Sequence, residues 1–205
     1  RIANAMQVTP QTLAQMQTDL PIAARLLPTA FAFDAIGYGC TSGATIIGEA
    51  QVAQMILAEH PNAKVSNPLT ACKAACSALK LNNMALLTPY TPQVTQALSD
   101  ALCASGIDIA RTGYFNIDDD FEVGRVDVAS IFNAIITLGS HKDCDGVFVS
   151  CTSLRVLDVI LKAEQQLGKP VISSNQALAW HLLRLSGIDA KSTQFGRLFN
   201  QPLAH

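Results

Sequence analysis

The sequence predicts an α/β fold of two similar lobes, each a parallel sheet flanked by helices, with a functional cleft between them. Three observations predict it. Short apolar stretches alternate with helical ones along the whole chain. One pattern occurs twice: an apolar strand runs into Cys-Thr-Ser and a helix, then a short strand ends in Ser-Asn before another helix. The chain is 49% hydrophobic but only 6% aromatic. A core of Ala, Leu, Ile and Val suits helices packed on buried parallel strands better than a sandwich.

The elements are read in order. Thr9-Pro10 is an N-cap with proline in the first turn, opening a helix to about Leu27. Phe33 to Gly39 is a short buried strand, and Cys40-Thr41-Ser42-Gly43 leads into a helix to about His60. Lys64 to Ser66 is a strand, and Asn67-Pro68 starts a helix through Leu81. Met84 to Thr88 is a strand, followed by a helix from Pro92 to about Ser105 that Gly106 stops. Asp108 to Phe115 is a strand, and the acidic loop Asp118-Asp119-Asp120 precedes a helix to about Leu138. Gly146 to Ser150 is a strand, and Cys151-Thr152-Ser153 opens a helix to Leu167. Pro170 to Ser173 is the last strand, and Asn175 begins a helix to about Ser186 that Gly187 ends. The first lobe is expected over residues 1–82, completed by 175–205, and the second over 83–174.

Composition excludes several classes of function. Fourteen Lys and Arg against sixteen Asp and Glu give a net charge of -2, with no basic run. That balance does not suit a nucleic acid or an anionic membrane surface. No apolar stretch reaches the roughly 18 residues of a membrane span. Six cysteines in 205 residues are too sparse for a disulfide scaffold. They read as free thiols in a cytoplasmic protein. The sequence opens RIANAMQVTPQTL, with no strand ahead of the first helix, so one or two N-terminal strands of the fold are expected to be missing from it.

The duplicated unit carries the chemistry. Its cysteines, Cys40 and Cys151, lie 111 positions apart. Duplication implies two Rossmann-like lobes about a pseudo-two-fold axis, which brings equivalent strand ends together. Ligands of open α/β sheets bind at those carboxyl ends. A cysteine opening a helix meets unsatisfied backbone N–H groups that favour the thiolate. The same groups, with the Thr and Ser hydroxyls, can hold a carboxylate. Two facing copies could bind a small carboxylic acid with a thiol on each side of one carbon. That arrangement suits proton removal from one face and delivery to the other, or thiolate addition to an activated double bond. It requires no metal and no organic cofactor.

Each candidate has a plainer reading. A strand-end cysteine can be an ordinary buried one, but two in the same Cys-Thr-Ser context favour the site. Cys72 and Cys76 share a helix face, and neither they nor Cys103 and Cys144 belong to a ligand set, so all four read as structural. His60, His141 and His205 read as solvated, and His181, beside Trp180, as packing. Gly37-Tyr38-Gly39 is too short for a dinucleotide fingerprint. The Asp118 to Asp120 run reads as a solvated loop favouring the next helix, with a site role for Asp120 as the alternative. Tyr90, in Thr88-Pro89-Tyr90-Thr91-Pro92, lies at the cysteine edge of the sheet. Position alone leaves it open between a carboxylate-binding phenol and a turn residue.

Gly37-Tyr38-Gly39-Cys40-Thr41-Ser42-Gly43, Leu87-Thr88-Pro89-Tyr90 and Ser150-Cys151-Thr152-Ser153-Leu154-Arg155 resemble the aspartate/glutamate racemase superfamily. The branch they resemble holds maleate cis-trans isomerase, arylmalonate decarboxylase and the ectoine-utilisation protein A group. Ser173-Ser174-Asn175-Gln176-Ala177 and Phe195-Gly196-Arg197-Leu198 extend the likeness over nearly the whole chain. The resemblance implies a two-lobe, cofactor-independent enzyme with Cys40 as nucleophile and Cys151 as proton donor. It implies that Tyr90, Thr41, Ser42, Thr152 and Ser153 hold carboxylate groups. Asp120, ahead of Phe121-Glu122-Val123-Gly124-Arg125, stands where the isomerases carry Asn, which argues against maleate itself. The isomerases also use an Asn from an N-terminal strand that this sequence does not include. The decarboxylases keep only the second cysteine, so Cys40 argues against that activity. The expected function is racemisation or cis-trans isomerisation of a small carboxylic acid. An arylmalonate-type decarboxylase is the alternative, and a carboxylate-binding or thiol-redox protein is the non-enzymatic one. No nucleic-acid or membrane partner is expected, and homo-oligomerisation is left open.

Overall fold

The computed structural model describes residues 2, 3 and 5–204. Helix α1, Pro10–Arg25, starts at a capping box in which the Thr9 hydroxyl accepts the Thr12 N–H. Strand β1, Ala35–Gly37, leads to helices α2, Thr41–Ile47, and α3, Glu49–Leu57. Strand β2, Lys64–Ser66, pairs in parallel with β1, and helix α4, Pro68–Leu79, follows it. The Asn67 carboxamide oxygen caps α4 by accepting the N–H groups of Leu69 and Thr70.

The second sheet contains β3, Asn83–Thr88; β4, Asp108–Tyr114; β5, Gly146–Val149; and β6, Val171–Ser173. Its order is β4-β3-β5-β6, and every pairing is parallel. Met84 to Thr88 and all of β5 and β6 are buried, which explains why these strands are unbroken apolar runs without polar alternation. Helices α5, Pro92–Cys103, and α7, Val128–Gly139, pack against the sheet, and α8, Leu157–Leu167, lies against β6 and α7. The last long helix, α9, Ser174–Leu185, packs on α4 and both strands of the two-stranded sheet. Parallel strands send the segments after β1, β3, β5 and β6 out at their carboxyl ends, where Cys40, Tyr90, Cys151 and Ser174 stand.

Three expected helices differ from those observed. The helix expected from the Cys40 turn to His60 breaks at Gly48, whose φ of 95° is outside the helical region and favours glycine. The helix after the acidic loop is two helices, α6, Asp120–Val123, and α7. Asp127 restarts the chain by capping α7, its carboxylate accepting the Ser130 N–H at 2.9 Å. The third difference concerns the site. Cys151 opens no helix: its φ is 99°, residues 152–156 form a turn, and α8 begins only at Leu157. The two copies of the repeat therefore share a sequence pattern but not a backbone path.

Packing corrects two side-chain readings. His60 is buried, with Nε2 3.0 Å from the Ala24 carbonyl oxygen and its ring edge-on to Phe33. It joins α3's exit to α1 and is not solvated. Cys103 is exposed at the end of α5, so it has no packing role, whereas Cys72, Cys76 and Cys144 are buried. His181 is buried against Trp180, with Nδ1 2.7 Å from Ser66 Oγ. His141 is exposed, and His205 lies outside the described residues.

Candidate active site

One cavity of about 390 Å³ is lined by Cys40, Thr41, Ser42, Tyr90, Asp120, Cys151, Thr152 and Ser153. All eight residues singled out in the sequence thus come together. The remaining wall is largely apolar, with Leu13, Met16 and Leu20 from α1, Ile36 from β1 and Ile56 from α3. Among the described residues, no Lys or Arg lines the cavity. A carboxylate held there must be met by hydroxyl and backbone N–H donors.

Cys40 is the N-cap of α2, and its sulfur accepts the Gly43 N–H at 3.3 Å. Ser42 Oγ lies 3.7 Å from the same sulfur. Tyr38, buried next to it, donates its hydroxyl to Met16 Sδ at 3.1 Å. Burial, with Cys40 beside it, pushes the Tyr38 phenol well above its ordinary range. Gly43 is required here for space: a Cβ would lie 2.3 Å from the Tyr38 hydroxyl and 3.1 Å from the Cys40 sulfur.

Cys151 is built differently. It is 6% exposed, and its sulfur accepts the Ser153 N–H at 3.4 Å within the turn. Burial pushes the Cys151 thiol up; the Ser153 N–H and the Tyr90 hydroxyl partly offset this, and the negative charges of Asp120 and Cys40 add to it. Cys151 is therefore held as a thiol at neutral pH. Tyr90 is 2% exposed, with Ser150 donating to its hydroxyl at 3.5 Å. Burial is the main cause of a phenol raised well above its usual value, and the charges of both Cys151 and Cys40 contribute.

The hydroxyls are committed in ways the sequence did not indicate. Thr152 was expected to hold a carboxylate, yet its Oγ1 donates to the Gly39 carbonyl at 3.0 Å, tying the second cysteine turn to the first. Ser153 Oγ donates to Asp120 Oδ1 at 3.2 Å. The N–H groups of Gly43 and Ser153, expected to bind an anion, point at the sulfurs of their own turns. Asp120 is a cavity residue and not simply loop, and Asp119 is the neighbour that caps α6.

Three residues escaped the sequence reading. Ser174 is fully buried, and its Oγ is 2.8 Å from Thr41 Oγ1 and accepts the Cys151 N–H at 3.1 Å. Asn175 donates its Nδ2 to the Thr152 carbonyl at 2.8 Å. Tyr38 is the third. The Ser-Asn end of the repeat flagged the first two, but nothing local told which atoms they would meet.

A family model described as arylmalonate decarboxylase matches residues 46–199. The chain belongs to the arylmalonate decarboxylase family. The matched span includes Tyr90, Asp120 and Cys151 and begins six residues after Cys40. Within this family, arylmalonate decarboxylase of Bordetella bronchiseptica is 32% identical over 134 residues, 64% of this chain and 56% of that protein. Maleate isomerase of Alcaligenes faecalis is 25% identical over 118 residues, 57% of this chain and 46% of the relative. The chain thus spans about half the length of these two relatives. A liganded arylmalonate decarboxylase in which one glycine is changed to cysteine and one cysteine to serine superimposes with a TM-score of 0.89 at 26% identity, covering 97% of this chain and 86% of that one. A maleate isomerase from Pseudomonas putida S16 in which one cysteine is changed to alanine, with maleate, has the same fold, with a TM-score of 0.88 at 22% identity over 96% of this chain and 81% of that one.

Proposed function

We propose that this member of the family is a cofactor-independent isomerase of a small carboxylic acid that uses Cys40 and Cys151 as its two acid–base groups. The observation that carries the reading is that both sulfurs border one cavity, with the Cys151 thiol buried there and pushed up by that burial. In racemisation, the Cys40 thiolate removes the α-proton of the bound acid. The electron pair passes into the carboxylate as an enediolate, and the Cys151 thiol returns a proton to the opposite face. In cis-trans isomerisation, the Cys40 thiolate adds to one carbon of the double bond while Cys151 protonates the other. Rotation about the resulting single bond and the reverse elimination release the isomer and restore both groups. Thr41 and Ser42 donate to a carboxylate, and Tyr90, beside Cys151, stays a neutral donor.

A second reading is a decarboxylase, favoured by the family model and by the Bordetella relative. There, loss of carbon dioxide leaves the enediolate, and Cys151 alone supplies the proton. The deciding experiment assays Cys40→Gly and Cys151→Ser against small mono- and dicarboxylic acids in deuterated water. The isomerase reading expects both variants to be inactive, with solvent deuterium at the α-carbon for a racemase or a substrate-mass adduct on Cys40 for a cis-trans isomerase. Carbon dioxide release that survives Cys40→Gly promotes the decarboxylase. Full activity in both variants removes the thiols from the chemistry.

A further inference from the structure

Ser174 sits where the two cysteine turns meet. It is the first residue of α9, fully buried, and 133 positions from Thr41 in the chain. Its oxygen accepts the N–H of Cys151 at 3.1 Å, and Thr41 Oγ1 stands 2.8 Å away on the other side. Cys151 needs this support. A non-glycine residue with φ at 99° is strained, and such conformations persist only where the surroundings hold them. The Ser174 oxygen is the partner of the Cys151 amide in that conformation.

A serine hydroxyl has one proton and two acceptor positions. One acceptor position is taken by the Cys151 N–H. The proton has a choice only with respect to Thr41, since either hydroxyl could donate to the other. If Thr41 donated to Ser174, it would present only lone pairs to the cavity it lines and would repel an anion. If Ser174 donates, the Thr41 proton is left for the cavity. That orientation also makes a head-to-tail chain, in which each hydrogen bond polarises the next.

We propose that Ser174 is a positioning residue that links the two thiol turns through a directed relay: Cys151 N–H to Ser174, Ser174 O–H to Thr41, and Thr41 O–H to a substrate carboxylate. The proposal rests on the carboxylate site described above and adds the residue that orients its donor. It also explains why a serine, and no larger side chain, occupies a position with no exposed surface between the turns. Ser174 touches neither the substrate nor the reacting carbon. It acts through Thr41 and through the backbone of Cys151.

The test measures propionate affinity by NMR titration in the wild type, Thr41→Val, Ser174→Ala, the double variant and Thr41→Ser. Thr41→Val should weaken propionate by about tenfold or more, the size of one hydrogen bond to a charged group. Ser174→Ala should weaken it by a smaller factor of about twofold, because it removes the group that orients and polarises the Thr41 hydroxyl but not the hydroxyl itself. The double variant should lose no more than Thr41→Val does alone, because Ser174 acts on propionate through the Thr41 hydroxyl. Thr41→Ser, which keeps the hydroxyl, should bind as the wild type does. Ser174→Ala should also alter the alkylation rate of Cys151 severalfold while Thr41→Val leaves it unchanged. Ser174→Cys keeps the shape with a weak donor and should show the same propionate loss if the alanine variant does not fold. Single losses that multiply in the double variant, or a Ser174→Ala protein that binds propionate as tightly as wild type while Thr41→Val does not, would overturn the relay. Undiminished binding in Thr41→Val would instead end the carboxylate-site reading, and the relay with it.

Discussion

Tyr90 stands against Cys151 and feels the charge of Cys40 as well, so one buried phenol addresses both sulfurs of the cavity. Its hydrogen bond is one of the two influences that pull the Cys151 thiol down against burial. Tyr90→Phe removes that bond and should push the thiol further up. In a Cys40→Ser background, iodoacetamide should then alkylate Cys151 about tenfold more slowly at mildly alkaline pH, the size of a hydrogen bond to a charged group. Faster alkylation would mean that the phenol shields the sulfur and does not stabilise its anion.

Among the described residues that line the cavity, Asp120 brings the carboxylate side chain. Two like charges about 5 Å apart at an effective dielectric near 20 repel by about 3 kcal/mol. Asp120→Asn keeps an oxygen for the Ser153 hydroxyl and removes the charge. The variant should bind malonate or maleate at least tenfold more tightly than the wild type, with monocarboxylate affinity changed less. Equal dicarboxylate affinity in calorimetry would place the Asp120 charge out of reach of the ligand.

Gly43 and Gly39 form a matched pair. A Cβ at Gly43 would meet the Tyr38 hydroxyl at 2.3 Å, whereas a Cβ at Gly39 would meet nothing within 4 Å. Gly43→Ala should therefore displace Tyr38 or the Cys40 turn and cost about 1–3 kcal/mol, the usual range for overpacking. Gly39→Ala should leave the urea midpoint nearly unchanged. The reverse ranking in equilibrium unfolding would show that the Tyr38–Cys40 contact yields easily.

Stability should fall at both ends of the pH scale. Burial raises the thiols of Cys72 and Cys151 above their ordinary value of 9.0, so above about pH 9 the unfolded chain loses protons that the native protein keeps. Unfolding is favoured there as pH rises, by up to about 1.4 kcal/mol per pH unit for each such group. Burial lowers His181 below 6.5, so its contribution is complete above that pH and is lost as pH falls and the unfolded chain takes up the proton. Thermal melts across pH should show both limbs. His181→Gln should flatten the acid limb, and an unchanged acid limb would assign it to other groups.

How legible the protein was depends on the range of the interaction. Thr9, Asn67 and Ser173 cap helices by contacts two or three residues away. Strands β3 and β5 lie in apolar runs bounded by turn residues. Those signals are local, and they placed the elements and put both Cys-Thr-Ser turns at the carboxyl edge. Gly48 and Asp127 were missed because a helical run is not visibly broken by one glycine or one aspartate unless the next turn is known.

The sequence by itself determined an α/β chain of parallel strands, a duplicated cysteine turn, and eight of the residues that line one cavity. Only the tertiary structure decided what each of those residues does there. Thr152 was free to bind a carboxylate until the fold brought Gly39 within 3.0 Å, 113 positions away in the chain. Cys151 was free to open a helix until its amide met Ser174 and its φ settled at 99°. His60 was a helix-end residue until α1 packed over it. A hydroxyl, an amide or an imidazole can take many partners, and local sequence does not choose among them. Burial does, because a polar group removed from water must find its partner wherever the packed chain has brought one.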